Sequence, residues 1–145
     1  MATLKIVAKP LNIELDKGGT FRPIFYVLDI NNTAINLTGY RAVMQIKVDF
    51  TDTIPLFDLT TENSGITITS PTTLVFNIGD TLNGVVLTEA LTITNVYGIQ
   101  PHISATLTSA ITQDELVYNV DLIEPSLDVI KYLKGGIKLN QDGTT

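Results

Sequence analysis

The stretch Arg41-Ala-Val-Met-Gln-Ile-Lys-Val-Asp-Phe50 decides the fold class. Ala42, Met44, Ile46, Val48 and Phe50 alternate with Arg41, Gln45, Lys47 and Asp49, the period of two that puts one face of a β-strand in a core and the other in water. A helix needs apolar residues three and four apart, and no segment of the chain sustains that spacing. Working outward, Leu116, Tyr118, Val120 and Leu122 alternate with Asn119 and Asp121, and Leu74, Phe76 and Ile78 sit two apart around Val75 and Asn77.

Turn signals separate these runs at short intervals: Lys17-Gly18-Gly19, Asn31-Asn32, Thr38-Gly39, Asn63-Ser64-Gly65, Ser70-Pro71, Asn83-Gly84, Pro125-Ser126 and Gly135-Gly136. Short strands with frequent turns predict an all-β sandwich or barrel. Strands are expected near 3–8, 11–15, 20–30, 34–37, 40–50, 54–60, 65–69, 73–78, 85–94, 101–108, 116–124 and 128–139. Asp29-Ile-Asn-Asn-Thr33 holds residues that tolerate positive φ and predicts a tight hairpin. The one helical turn expected lies at 109–115, with Ser109 or Thr108 as its cap.

A chain of 145 residues fits one domain, and 44% hydrophobic content supplies its core. Nine Lys+Arg against 15 Asp+Glu give a net charge of −6, the wrong sign for nucleic acid or an anionic membrane, so neither is expected as a partner. Cysteine is absent, which excludes disulfides, thiolate metal sites and a cysteine nucleophile. The N-terminal residues lack the pattern of a secretory signal, and no apolar run approaches the ~18–20 residues that span a bilayer, so the chain is expected to be soluble. The division expected is an N-terminal arm or edge strand at 1–10, a β-domain at 11–139 and a polar tail at 140–145.

Catalytic chemistry finds little to work with. His102 is the only histidine and reads as a strand residue; no Gly-x-Ser-x-Gly elbow presents a nucleophile. The carboxylate pairs Glu14 with Asp16, Asp49 with Asp52, and Asp114 with Glu115 read as strand-end or turn acids, and no tryptophan offers a sugar platform. An oxygen-ligand calcium site at 49–52 lacks EF-hand spacing, and a turn is the simpler reading. The glycine pairs have no following lysine and helix, so they read as turns or bulges. No catalytic, cofactor-binding or metal-ligating residue is assigned, and no enzyme is expected.

The order of segments carries more. Leu11-Asn-Ile-Glu-Leu-Asp-Lys-Gly-Gly-Thr-Phe21, a strand ending Val27-Leu-Asp-Ile-Asn-Asn-Thr-Ala-Ile-Asn-Leu-Thr-Gly-Tyr40, and Arg41-Ala-Val-Met-Gln-Ile-Lys47 follow one another. Leu59-Thr-Thr-Glu-Asn-Ser-Gly-Ile-Thr67, Tyr118-Asn-Val-Asp-Leu122 and Val129-Ile-Lys-Tyr-Leu-Lys-Gly-Gly-Ile137 come after them. This succession resembles the immunoglobulin-like N-terminal domain of tailed-bacteriophage baseplate upper proteins and related tail and fibre proteins, over residues 11–69 and 104–139. The resemblance implies an antiparallel immunoglobulin-like β-sandwich. It implies a non-enzymatic structural protein of the virion, made in the bacterial host cytoplasm and present in several copies as an adaptor in the tail, baseplate or fibre attachment, where it contacts other virion proteins. Capsid decoration, a head fibre, or a receptor- or glycan-binding module are the alternatives; a hydrolase comes third.

Within that frame Gly39 and Tyr40 read as a turn that needs glycine's backbone freedom, and Tyr118 as a tyrosine corner. The stretch from about 81 to 102 departs from the family's shorter path and is expected to be an inserted hairpin. Its nearly uncharged, β-prone run at 85–94 suggests that 81–103, together with the arm 1–10, docks on neighbouring proteins partly by strand addition, through Val85, Val86, Leu87, Leu91, Ile93, Val96 and Tyr97. A core strand is the competing reading. Lys131, Lys134 and Lys138 are the candidate guards of an exposed final strand.

Overall fold

Alternation becomes burial where the sequence most clearly predicts it: in Arg41–Lys47, Ala42, Met44 and Ile46 are fully buried while the residues between them are partly or wholly exposed. The computed structural model describes residues 9–10, 12–29, 31–82 and 85–141. They form, in order, β1 (Lys9–Pro10), β2 (Ile13–Asp16), β3 (Phe25–Tyr26), β4 (Arg41–Lys47), β5 (Phe57–Thr60), β6 (Ile66–Ile68), β7 (Thr72–Phe76), β8 (Thr81–Leu82), β9 (Val85–Val86), β10 (Leu91–Val96), β11 (Gly98–Pro101), α1 (Ala105–Ser109), β12 (Glu115–Ile123) and β13 (Val129–Asn140). The described residues are all-β apart from one short helix.

The largest sheet runs β1-β13-β12-β4-β5, with β2 also on β13; β1 and β2 lie parallel to β13, and the other pairings are antiparallel. A second sheet runs β3-β11-β6, extended by a bridge between Phe21 and Ile103. One core draws on both. From the first sheet come Met44, Ile46, Tyr118, Val120 and Ile137, and from the second Phe25, Ile66 and Ile99. Register puts core residues side by side, Ile46 beside Tyr118 and Met44 beside Val120, which is how cross-strand pairs stabilise a sheet. The Tyr132 hydroxyl donates to the Tyr26 carbonyl at 2.8 Å and ties the sheets together.

A bulge explains a break in pattern. Val120 pairs with Leu133 but Asp121 pairs with Lys131, which leaves Tyr132 as the extra residue, so that both Tyr132 and Leu133 face the core. Lys131 stays outside and meets Asp121 at 2.9 Å. β13 is therefore not an edge: β12 flanks it on one side and β1 and β2 on the other. The three lysines expected to guard an exposed final strand lie on an interior one. Lys138 instead stands in register between Glu14 and Glu115, a line of alternating charge across three strands.

Several boundaries move for local reasons. β4 stops at Lys47, because Asp49 accepts the Thr51 N–H at 3.0 Å while the Asp52 carboxylate accepts the Asp49 N–H at 3.1 Å, closing a turn. Val48 and Phe50, which continue the alternation, are left about half exposed. The long strand expected at 20–30 is reduced to β3 and two isolated bridges, and 34–37 keeps only the bridge from Ala34 to Leu28. The hairpin between them is present, with Asn32 at φ 60 and the Asp29 carboxylate accepting the N–H groups of Asn31 and Thr33. The strand expected at 101–108 keeps only Pro101 in β11 and the Ile103 bridge before giving way to α1, which meets the turn expected at 109–115 only at Ser109 and is capped by Ser104, whose hydroxyl accepts the Leu107 N–H. Thr108, expected as a cap, is buried inside that helix; it donates to the Gly19 carbonyl at 2.7 Å and accepts the Gly18 N–H at 3.1 Å. The strand expected at 3–8 lies outside the described residues, as do Leu11, Ile30, the Asn83-Gly84 turn and 142–145. No helix among the described residues is long and apolar enough to cross a membrane.

Candidate functional site

The residues weighed above as carriers of chemistry are dispersed. His102 is exposed, and its backbone N–H donates to the Gly65 carbonyl at 2.9 Å. Asp49 and Asp52 bond within their own turn, and the Thr51 N–H and hydroxyl hold the Asp49 carboxyl below its usual range. Asp114 reaches Lys17 at 3.7 Å. Among the described residues no three His, Cys, Asp or Glu side chains come together as a metal site. A groove along β2, β13 and β12, lined by Asn12, Glu14, Val117 and Lys138, is open to solvent.

The three residues read as structural are placed by the first sheet. Gly39 adopts φ +82 in the turn closed by the Tyr40 N–H on the Leu37 carbonyl, and a Cβ there would lie 3.2 Å from Pro125 Cγ. Gly39→Ala is expected to cost about 1–2 kcal/mol for the left-handed backbone alone, read as a lowered Tm with the fold retained. Tyr40 is half-buried beside Glu124, and burial followed by that carboxylate raises its pKa. Tyr118 is buried on β12, where loss of solvent pushes its pKa up to about 12; Tyr132, buried near it, is pushed to about 12 as well.

The surface expected to make contacts is built on an arm of two strands, five and six residues long. β7 and β10 pair antiparallel and leave the two main sheets, and β8 and β9 form a small hairpin between them. The arm carries its own apolar cluster: Leu82, Ile93 and Val96 are buried, with Leu28, Ala34, Leu74, Phe76, Leu87 and Leu91 packed against them. This arm runs from Thr72 to Val96, beginning before 81 and ending before β11.

This arrangement divides the seven residues expected to make contacts. Val85 and Val86 are exposed at 63% and 61%. Leu87 and Leu91 are half-buried against the small cluster, Tyr97 packs against the main core, and Ile93 and Val96 are buried. Ile93 and Val96 therefore stabilise the arm from within. Beyond the arm, β11 joins β3 to β6, and Ile99 and Ile103 sit in the main core, so 98–103 is anchored in the core, with His102 its exposed residue. Of the N-terminal arm, Lys9 and Pro10 pair with β13 as an edge strand; 1–8 lies outside the described residues.

Two contact candidates were missed. Val75 and Ile78 are exposed at 65% and 71% on the same arm as Val85 and Val86. The signal for Val75 was present, because it alternates out of phase with Leu74 and Phe76, which pack inward. Ile78 lies just past β7, beside the Gly79 turn at φ +92, where the strand period no longer applies. No model of a known protein family and no curated protein matches the chain.

Proposed function

We propose that the chain is a non-enzymatic structural protein of a tailed-phage particle, an immunoglobulin-like β-sandwich present in several copies as an adaptor of the tail, baseplate or fibre attachment. The observation that carries the fold part of this reading is the strand order. An immunoglobulin domain of variable type has one sheet with B, E and D adjacent and another with G, F, C and C′. Here β3, β11 and β6 take the places of B, E and D, and β13, β12, β4 and β5 those of G, F, C and C′. Tyr118 then falls on F, just after the short helix that joins E to F. The arm is an insertion between D and E.

The functional part rests on the order of sequence segments and on what the surface offers. Four exposed aliphatic side chains, Val75, Ile78, Val85 and Val86, lie on the arm, and a second group, Val48, Ile54 and Leu56, lies between β4 and β5; exposed apolar groups of this kind favour contact with another protein. Purified chain added to particles made without it is expected to co-sediment with them and to saturate at a fixed number of copies. Saturable sugar binding by the isolated monomer, with no co-sedimentation, would favour the glycan-binding module instead.

A further inference from the structure

Every sheet edge is a template for another strand unless something blocks it, and most edges of this fold are blocked or short. On β5 the Thr61 N–H reaches inward to the Ala42 carbonyl, so Asp58 and Thr60 turn their main chain outward. There the Asn63 side chain accepts the Thr60 N–H and donates to the Asp58 carbonyl, both at 2.9 Å, and occupies the place an added strand would take. At the opposite edge of that sheet, β1 contains Pro10, which has no N–H, and β2 exposes Glu14 and Asp16. In the second sheet the edge strands β3 and β6 are only two and three residues long. In the arm, β10 is bulged by one extra residue between Ile93 and Val96, with Asn95 at φ 58.

β7 differs from all of these. Thr72-Thr-Leu-Val-Phe76 is five residues long, uncharged and free of bulges, and among the described residues only β10 pairs with it. It combines β-branched and aromatic residues without a charge or proline, the composition that favours strand pairing.

We propose that the free edge of β7 receives an extended strand from a second protein whose flanking residues are lysine or arginine. The proposal rests on the adaptor reading and names the partner's chemistry. The alternation of β7 sets the register, with apolar side chains of the incoming strand beside Leu74 and Phe76 and polar ones beside Thr73 and Val75. Charge selects the partner. Residues 72–96 contain Asp80 and Glu89 and no lysine or arginine, and the whole chain carries −6, so a second copy meets like charge while a basic-flanked strand is attracted.

The test uses the full chain and a synthetic seven-residue peptide of alternating threonine and valine with lysine at both ends, beside the same peptide ending in glutamate. The lysine peptide is expected to bind saturably, about tenfold or more tighter than the glutamate peptide at low salt, and to protect the amides of Thr72–Phe76 from hydrogen exchange. Val75→Lys, at an exposed position, is expected to keep the circular dichroism spectrum and abolish both effects. Absence of binding, equal binding of the two peptides, protection at another edge, or self-association abolished by Val75→Lys would overturn the proposal. Because neither readout requires a particle, failure here leaves the adaptor reading to its own co-sedimentation test.

Discussion

Excision of residues 71–96, with Ser70 joined to Tyr97 by a two-residue Asn-Gly turn, is expected to leave a folded domain. The ends of the cut are already neighbours: Ile68 pairs with Ile99, the Thr69 N–H donates to the Gly98 carbonyl at 2.8 Å, and the Thr69 hydroxyl accepts the Gly98 N–H at 2.9 Å. A tight turn converts β6 and β11 into a simple hairpin. The loss is the small arm cluster, which uncovers Leu28 and Ala34 and costs on the order of 2–4 kcal/mol. Excision of 97–103 has the opposite outcome. It removes β11, the strand that joins β3 to β6, together with Ile99 and Ile103, each 1% exposed, and cooperative unfolding is expected to disappear. Thermal melts followed by circular dichroism compare the two, and an armless chain that fails to fold would show that the arm belongs to the core.

Strong alkali is expected to unfold the protein, with two tyrosines responsible. Burial pushes Tyr118 and Tyr132 up to about 12, against the ordinary tyrosine value of 10.0. Between those values the native state keeps protons that the unfolded chain has released, so stability is highest below the unfolded pKa and falls as pH rises. Each tyrosine removes about 1.4 kcal/mol per pH unit across that window, and the pair together removes on the order of 5 kcal/mol, comparable with the whole stability of a small domain. Tyr132→Phe is expected to roughly halve that slope. It also loses the bond to the Tyr26 carbonyl, at about 1 kcal/mol near neutral pH. Urea midpoints measured from pH 8 to 12 separate the two effects, and a slope unchanged in Tyr132→Phe would contradict the assignment.

What the sequence made legible follows from which forces act locally. The strands at 41–47 and 115–123 announce themselves because one face is buried and the other wet, and period two records that directly, whereas in 129–140 the bulge at Tyr132 interrupts the period. The hairpin at 29–33 and the glycine at 39 were legible because positive φ restricts residue type. Partnership between strands is different, since Lys131, Lys134 and Lys138 look alike on an edge or an interior strand, and only the parallel pairing of β1 and β2 decides. The helix was displaced for a related reason: Ser104 and Ser109 are equally good caps in isolation, and burial of Thr108 against Gly18 and Gly19, some 90 residues away, fixes the choice. The candidate surface was half legible. A nearly uncharged β-prone run marks both a sticky edge and a small core, and the run at 85–97 is partly each, with Val85 and Val86 outside and Ile93 and Val96 within.

The central claim, that this chain is built into a phage particle, is tested most directly by counting it there. Quantitative mass spectrometry of salt-washed, purified particles, with labelled peptides of this chain and of the major capsid protein as internal standards, gives copies per particle. A fixed number of several copies, retained through the wash, is the predicted result; fewer than one copy per particle, with the chain left in the cleared lysate, would contradict it.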